Sequence, residues 1–479
     1  MSDEGIENIL FLPGHRLEMP SLLFRGDNPA ITPYFGLVNY GPYEMPPLHR
    51  KNIIILHPKN AEFEAIASKV KEALSNGYGR YFPGGFADIF GIDIDFRLQE
   101  IDRYDLYSYK MTAKKYYNEF SRECSNIDEC FPVLLMNKVP KGLYESLYTE
   151  VKYVFSINGI PTQVITYETF SDTMRFKWSI FPLALQIFVK MGGVPFILYN
   201  RLDLPKDEAV VIIGLGLSKI HLPNRERRYV GFALAFEADG RWRLMKWSPQ
   251  PYSRGKLADM LRKLIQDAVD DVLRTYAVPK PKKIHIIIHY SGKNVSVWEE
   301  EYLKKAAIEL EYIQNIKVIP YIVKIQESMY RTYDEENLCL DTDGKPTYLT
   351  NVGTVIRLKD DLFMLNTTGC TLVQSTMGGI IQKPNAQGSP SPLIVSIKRL
   401  NGIEYKLDDV ELIKSVFYMA RMNYTSINNP VSKLPMSTKY SKLLAYVTAR
   451  LSYRYYEEEE NIDINSLIPD KLKKVLWFI

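Results

Sequence analysis

Cysteine and histidine are scarce in this chain, at four and six among 479 residues. Cys124, Cys130, Cys339 and Cys370 are too scattered along the sequence for a zinc site or a secreted disulfide scaffold, which points to a cytoplasmic protein. A Cys124–Cys130 bridge stays open if the source is a hyperthermophile, a source that abundant Tyr, Ile and Lys would suit. A signal-peptide layout is also missing: MSDEGIENIL is acidic, which excludes that export route. No long apolar run is uninterrupted. The stretch from Trp178 to Leu198 carries Gln186, Lys190 and Gly192-Gly193, and reads as a buried helix followed by a strand. Internal repeats and low-complexity tracts are lacking, and the net charge is only +4, from 60 basic and 56 acidic side chains. A nucleic-acid partner would therefore have to meet a local basic groove.

What is present is an α/β alternation. Residues 1–50 are rich in Pro and Gly, with little periodicity, and read as an extended N-terminal wrap. From Asn52, NIIILHP is a buried-strand run, followed by helical spacing in AEFEAIASKVKEALSNGYG with a glycine stop. The alternation recurs as strand 131–138, helix 141–159, strand 161–170, helix 179–191 and strand 194–200. This predicts a parallel, doubly wound, Rossmann-like domain over 51–205. After residue 206 the order changes to three strands in a row, AVVIIGLGLSKI, RYVGFALAFEADGRW and RLMKWS, the last two joined by an Asp-Gly turn signal. Helix 255–277 and strand 282–292 follow, a ribonuclease-H-like half of a second domain over 206–479.

Certain side chains stand out by spacing. Tyr148 and Lys152 share a helix face, as do Gln186 and Lys190, and Gln163 opens the strand between those helices. A lone helical Lys is ordinarily solvated, but two such pairs flanking a Gln at the carboxyl edge of an α/β sheet point to a ligand site. His285 and His289 share one strand face and read as a satisfied structural pair. GLGLSK lacks the spacing of a phosphate loop. RERR (225–228) reads as an exposed turn, and Glu237 and Asp239 as solvated turn chemistry.

Seven stretches, NYGPYE (39–44), IPTQVI (160–165), QIFVKMGGVPFIL (186–198), IIGLGLSKI (212–220), FEADGRW (236–242), IHYSGK (288–293) and LWFI (476–479), together resemble the short archaeal Argonaute/Piwi proteins, in order and almost end to end. The resemblance implies a MID domain that grips the 5′ end of a guide, then a PIWI domain of ribonuclease-H-like fold that holds the guide–target duplex. It implies Tyr148 as a stacking plate, and Lys152, Gln163 and Lys190 as ligands of a guide 5′ phosphate. A single Mg²⁺ or Mn²⁺ would be held by Gln186 and the carboxylate of Ile479. The slicing members carry Asp where this chain has Gly216 and Ser291, and WSPQPYSRGK (247–256) offers no glutamate finger, so no catalytic residue is assigned and no cleavage is expected.

The partners implied are a 5′-phosphorylated guide RNA or DNA and a complementary target of either chemistry. A separately encoded APAZ-like protein would complete the system, with an effector, membrane-associated or not, in anti-virus or anti-plasmid defence. Two alternatives are a metal-dependent guide-directed endonuclease using Glu237, Asp239 or Asp343, and a nucleic-acid-binding regulator that carries no guide.

Overall fold

A computed structural model describes the chain except residues 1–11, 48–51, 103, 138–142, 200–201, 221–227, 248–253, 276–279, 292–296, 337–338, 342, 375–378, 385–390, 401–402, 405–406, 428–430 and 459–467. The run NIIILHP forms the strand Asn52–Pro58, nearly all of it buried. Helix Ala61–Asn76 then starts on the Asn60 side chain, which accepts from the Glu62 amide, and stops at Gly77 with φ of 87°. Strand Asn52–Pro58 pairs in parallel with Asp95–Ile101 on one side and Cys130–Met136 on the other. Gln163–Thr166 follows Cys130–Met136, completing a four-stranded parallel sheet. The Asp95–Ile101 strand and the helix Tyr109–Glu123 were not anticipated from the sequence.

Two expected strands come out differently. The segment 161–170 is a strand only to Thr166, after which Tyr167–Ser171 is a short helix. The segment 194–200 does not extend the parallel sheet: Ile197–Leu198 pairs antiparallel with Leu22–Phe24, which pairs with Asn28–Ala30. The reason is the break after helix Thr173–Lys190, where Gly192 takes φ of 99° and the chain turns to bridge Val194 to Glu44. The N-terminal region is thus a wrap, as expected, with one added helix, Pro33–Tyr40, capped by Thr32. Arg421, fully buried, donates to the carbonyls of Pro20 (3.1 Å) and Ile31 (2.6 Å) and so ties the wrap to the helix Asp409–Arg421.

The second sheet has nine strands, in the order Gly14–Arg16, Thr354–Lys359, Leu362–Leu365, Leu393–Lys398, Lys317–Glu327, Lys283–Tyr290, Glu208–Ile220, Arg228–Glu237 and Trp242–Trp247. Its three central strands, Lys317–Glu327, Lys283–Tyr290 and Glu208–Ile220, are parallel. Helices Arg254–Thr275 and Val297–Gln314 bury Leu264, Ile265, Leu303 and Ala306 against one face, where Ile213 and Ile288 lie. The other face carries Asp409–Arg421 and Met436–Glu458, whose apolar side chains join the largest core. Three antiparallel strands, then a helix and a parallel strand, are the ribonuclease-H-like succession that the sequence predicts.

Helix Met436–Glu458 lies directly on strand Glu208–Ile220, and two glycines permit it. A Cβ at Gly214 would lie 1.9 Å from the carbonyl oxygen of Ser437, and one at Gly216 would lie 2.2 Å from that of Ser441. His289 fastens the same layer: its Nδ1 is 2.7 Å from Ser437 Oγ and its Nε2 is 2.9 Å from Ser415 Oγ. Burial holds that imidazole neutral, at a pKa of about 3. His285 meets Glu208 at 2.7 Å and Tyr321 at 3.0 Å. Both histidines are the satisfied structural pair expected of them.

The cysteines depart from their sequence reading in one pair: the Cys124–Cys130 bridge that it left open is formed, and Cys339–Cys370 was not foreseen. They are not scattered in space: Cys124 is bonded to Cys130 and Cys339 to Cys370, each pair with its Cα atoms just over 6 Å apart. Folding brings the second pair together across 31 residues, a proximity invisible in spacing. Among the described residues, no helix is long and apolar enough to cross a membrane.

Gly216→Ala is expected to lower stability by about 1–3 kcal/mol, as overpacking does where backbone faces backbone, read as a lower urea midpoint at unchanged slope. An unshifted midpoint would mean that the helix can stand off from the strand.

Candidate functional site

Four of the side chains marked in the sequence converge. Helix Leu143–Ile157 carries Tyr148 and, one turn later, Lys152. Helix Thr173–Lys190 ends on Lys190, and Gln163 opens the strand between the two helices. Lys152 Nζ donates to the carbonyl of Thr162 at 2.8 Å, and Lys190 Nζ donates to the same oxygen at 3.0 Å. Lys190 also donates to Gln163 Oε1 at 2.6 Å, while Gln163 Nε2 is held by the Val164 carbonyl at 3.1 Å. The Lys152 ammonium stands 5.7 Å from the centroid of the Tyr148 ring.

Both lysines are out of water, with exposures of 2% and 1%. Among the described residues, neither ammonium is paired with a carboxylate; carbonyls and one amide serve instead. Burial pulls Lys152 down to about 7, against a smaller upward pull from its hydrogen bond to Lys190. Lys190 is pushed well below the ordinary lysine range by burial, then by the charge of Lys152. Two desolvated cations without an anion are costly in isolation and form a strong site for one.

The third partner of Lys152 comes from the far end of the chain. It donates to the carbonyl of Trp477 at 3.2 Å, and Leu476, Trp477, Phe478 and Ile479 are all buried. Phe478 sits edge-on to Tyr440, 6.4 Å between centroids. Gln186 is half-buried one turn before Lys190. Among the described residues, it makes no hydrogen bond with Ile479. The Gln186 amide oxygen and the Ile479 carboxylate are nonetheless of the donor kind that hard divalent cations take. Among the described residues, no group of three His, Cys, Asp or Glu could hold a metal ion. The carbonyls of Thr162 and Trp477 were not foreseen, because main-chain acceptors leave no residue-type signal.

The place of the site corrects one expectation. Gln163 opens its strand level with Val133, in mid-strand Cys130–Met136. The backbone at Gln163 therefore lies midway along the parallel sheet and not at its carboxyl edge. The acids near the Asp-Gly turn also depart from their reading. Asp239 is 1% exposed and pairs with Arg241 at 2.9 Å, as Glu237 does at 3.0 Å and Glu44 at 3.1 Å. Arg241, two residues beyond Asp239, draws these carboxylates into one network and makes them structural. Asp343 lies in an exposed turn. Residues 225–227 of RERR and 248–253 of WSPQPYSRGK lie outside the described residues. Gly216 is buried under the helix, and Ser291 is half-buried just after strand Lys283–Tyr290.

A parallel α/β unit followed by a ribonuclease-H-like mixed sheet is the MID–PIWI architecture of Argonaute proteins. A Piwi domain matches residues 134–452, more than half of the sequence, and the chain belongs to the Piwi family. It is 24% identical over 423 residues to a Piwi protein of Archaeoglobus fulgidus, covering 87% of this chain and 88% of that one. The fold is also that of Clostridium butyricum Argonaute bound to a guide DNA with a 5′ deoxycytidine and a 19-mer target DNA. That likeness has a TM-score of 0.60 at 18% identity, over 92% of this chain and 53% of the other. The chain thus spans about half the length of that Argonaute.

The depressed Lys152 gives the ligand-free protein a pH dependence. Unfolded, this ammonium titrates at 10.5; folded, at about 7. Between those values the unfolded state binds more protons, so stability rises with pH. Below about 7 both states are protonated, and the full cost of burying the charge is present. Because Lys190 is depressed as well, Lys152→Met combined with Lys190→Met is expected to stabilise the ligand-free protein at pH 7 and to flatten the rise toward pH 10, measured by urea unfolding. A rise that persists in the variant would assign the titration to another group.

Proposed function

We propose that this chain is a guide-loaded nucleic-acid sensor, which holds a 5′-phosphorylated guide RNA or DNA and pairs it with complementary target RNA or DNA without cutting. The observation that carries this reading is the buried Lys152–Lys190 pair, which meets on the Thr162 carbonyl with no carboxylate partner. A terminal phosphate supplies the missing counter-charge. Lys152, Lys190 and the Gln163 amide contact it, and Tyr148 offers a ring against which the first base stacks. Both lysines then hold their protons at neutral pH, because the anion favours their charged form. Gln186 and the Ile479 carboxylate are the residues that would hold a Mg²⁺ or Mn²⁺ beside the phosphate. A bound ion supplies positive charge between the two anions.

Absence of cleavage is supported by the packing at Gly216. Two-metal phosphodiester hydrolysis needs several carboxylates converging on paired cations. The backbone of helix Met436–Glu458 fills the space that any side chain at 216 would enter. Ser291, a neutral residue, stands at the second expected acid position. Asp239 and Glu237, two of the acids an alternative nuclease site would use, are engaged by Arg241. Signalling to an APAZ-like partner and an effector in cytoplasmic defence against viruses and plasmids rests on the resemblance to short Argonautes alone.

Each lysine contributes a charge-assisted contact of roughly 1.5–3 kcal/mol. Replacing both Lys152 and Lys190 by Ala should therefore abolish the preference for phosphorylated over hydroxyl guides in a filter-binding titration. Retained discrimination would place the anchor elsewhere. In the unaltered protein, a loaded guide with Mg²⁺ or Mn²⁺ should give no product at the guide centre, and any such product would mean an active nuclease.

A tag fused after Ile479 turns its carboxylate into an amide and displaces the buried LWFI segment. Guide affinity should fall strongly, and EDTA should then have little further effect. Equal, EDTA-sensitive binding by tagged and untagged protein would exclude the carboxylate as a ligand.

A further inference from the structure

A second aromatic and basic cluster lies at the opposite end of the helix that carries Lys190. The rings of Tyr81 and Trp178 meet edge to face, 5.0 Å between centroids. The Arg80 guanidinium and the Lys177 ammonium each stand 5.3 Å from the Tyr81 centroid. Trp178 keeps 51% of its surface in solvent, and Met174, one turn earlier, keeps 60%. The loop beneath is fixed. Tyr34 Oη donates to the Arg80 carbonyl at 2.6 Å, and the Tyr78 amide donates to the carbonyl of buried Phe82 at 2.7 Å. A Cβ at Gly77 would lie 2.6 Å from that same oxygen, so the loop closes tightly on itself.

Two cations, Arg80 and Lys177, stand against the platform. Asp172, at the start of the helix, accepts the amides of Met174 (2.8 Å) and Arg175 (2.9 Å) and lies 3.9 Å from the Arg175 guanidinium, so its charge is met there. A half-exposed indole held rigidly among cations stabilises no core. It is the arrangement that single strands meet, with phosphates drawn to the cations and a base laid on the ring. An acidic peptide would satisfy the cations and leave the flat indole unused. A duplex hides the faces of its bases.

We propose that the Tyr81–Trp178 platform is a second nucleic-acid site, which stacks an unpaired base of a single strand on Trp178 and draws its phosphates to Arg80 and Lys177. Twelve residues of α-helix separate Trp178 from Lys190, about 18 Å along the axis, so the site is distinct from the lysine anchor. It acts on strand segments outside the paired guide and does not depend on recognition of a terminal phosphate.

The test uses the full chain and a ten-residue oligothymidylate with a 5′ hydroxyl. Fluorescence is compared between the parent and Trp178→Phe, so that the difference reports Trp178 alone. The oligonucleotide should quench that difference signal, and Trp178→Ala should weaken its binding about tenfold, the scale of one lost stack. Arg80→Glu combined with Lys177→Glu should weaken binding further and reduce its salt dependence. The Lys152→Ala/Lys190→Ala protein should keep the quenching, which separates this site from the anchor. Undiminished binding by Trp178→Ala without quenching in the parent overturns the proposal. Inorganic polyphosphate that quenches equally would reduce the site to a cation cluster, and polyglutamate that does so would assign it to an acidic protein partner; either result overturns base stacking.

Discussion

Lys152 and Lys190 bring two ammonium groups to one carbonyl oxygen in a place that water does not reach. Such an arrangement persists only if surrounding structure holds it, because each charge would otherwise find solvent or a carboxylate. Three segments remote in sequence do the holding. Helix Leu143–Ile157 delivers Lys152, helix Thr173–Lys190 delivers Lys190, and the buried end of the chain supplies the Trp477 carbonyl. Phe478 leans on Tyr440 in helix Met436–Glu458, which also touches helix Leu143–Ile157 and rests on strand Glu208–Ile220. The anion-ready site of the parallel unit is therefore mechanically continuous with the nine-stranded sheet.

The N-terminal wrap secures the same frame from outside. Gly14–Arg16 adds a strand to one edge of the large sheet, while Leu22–Phe24 pairs with Ile197–Leu198 just after the Lys190 helix. Arg421, fully buried, is held to about 9 by desolvation and donates to the Pro20 and Ile31 carbonyls of the wrap. The molecule thus uses buried basic side chains in two ways: Arg421 fastens one segment to another, whereas the two lysines meet each other on one carbonyl oxygen.

Much of this was legible in the sequence where side-chain pattern decides structure. NIIILHP, the glycine stop at Gly77 and the three strands after residue 206 carry their periodicities openly, and the i, i+4 spacing of Tyr148 and Lys152 corresponds to an ammonium standing 5.7 Å from that ring. Strand Asp95–Ile101 was hidden because it lies at a sheet edge and carries Asp95, Arg97 and Glu100. The carboxyl-edge placement gives way to a mid-sheet one because Gln163–Thr166 is short and starts level with Val133, and strand register is not written in residue type. Asp239 was read as solvated because an Asp-Gly turn usually is, yet Arg241 two residues on was the signal that the tip is folded in. The Cys339–Cys370 bridge and the Thr162 and Trp477 carbonyls depend on tertiary proximity or main-chain atoms, which no residue pattern encodes.

The contact of Gly214 and Gly216 with the Ser437–Ser441 backbone also limits what these positions can carry. With the helix backbone in the room that a Cβ would need, any side chain there requires the helix to withdraw first. The two glycines and the helix therefore hold each other in place: the strand accepts only glycine while the helix is seated, and the helix seats only while the strand keeps glycine.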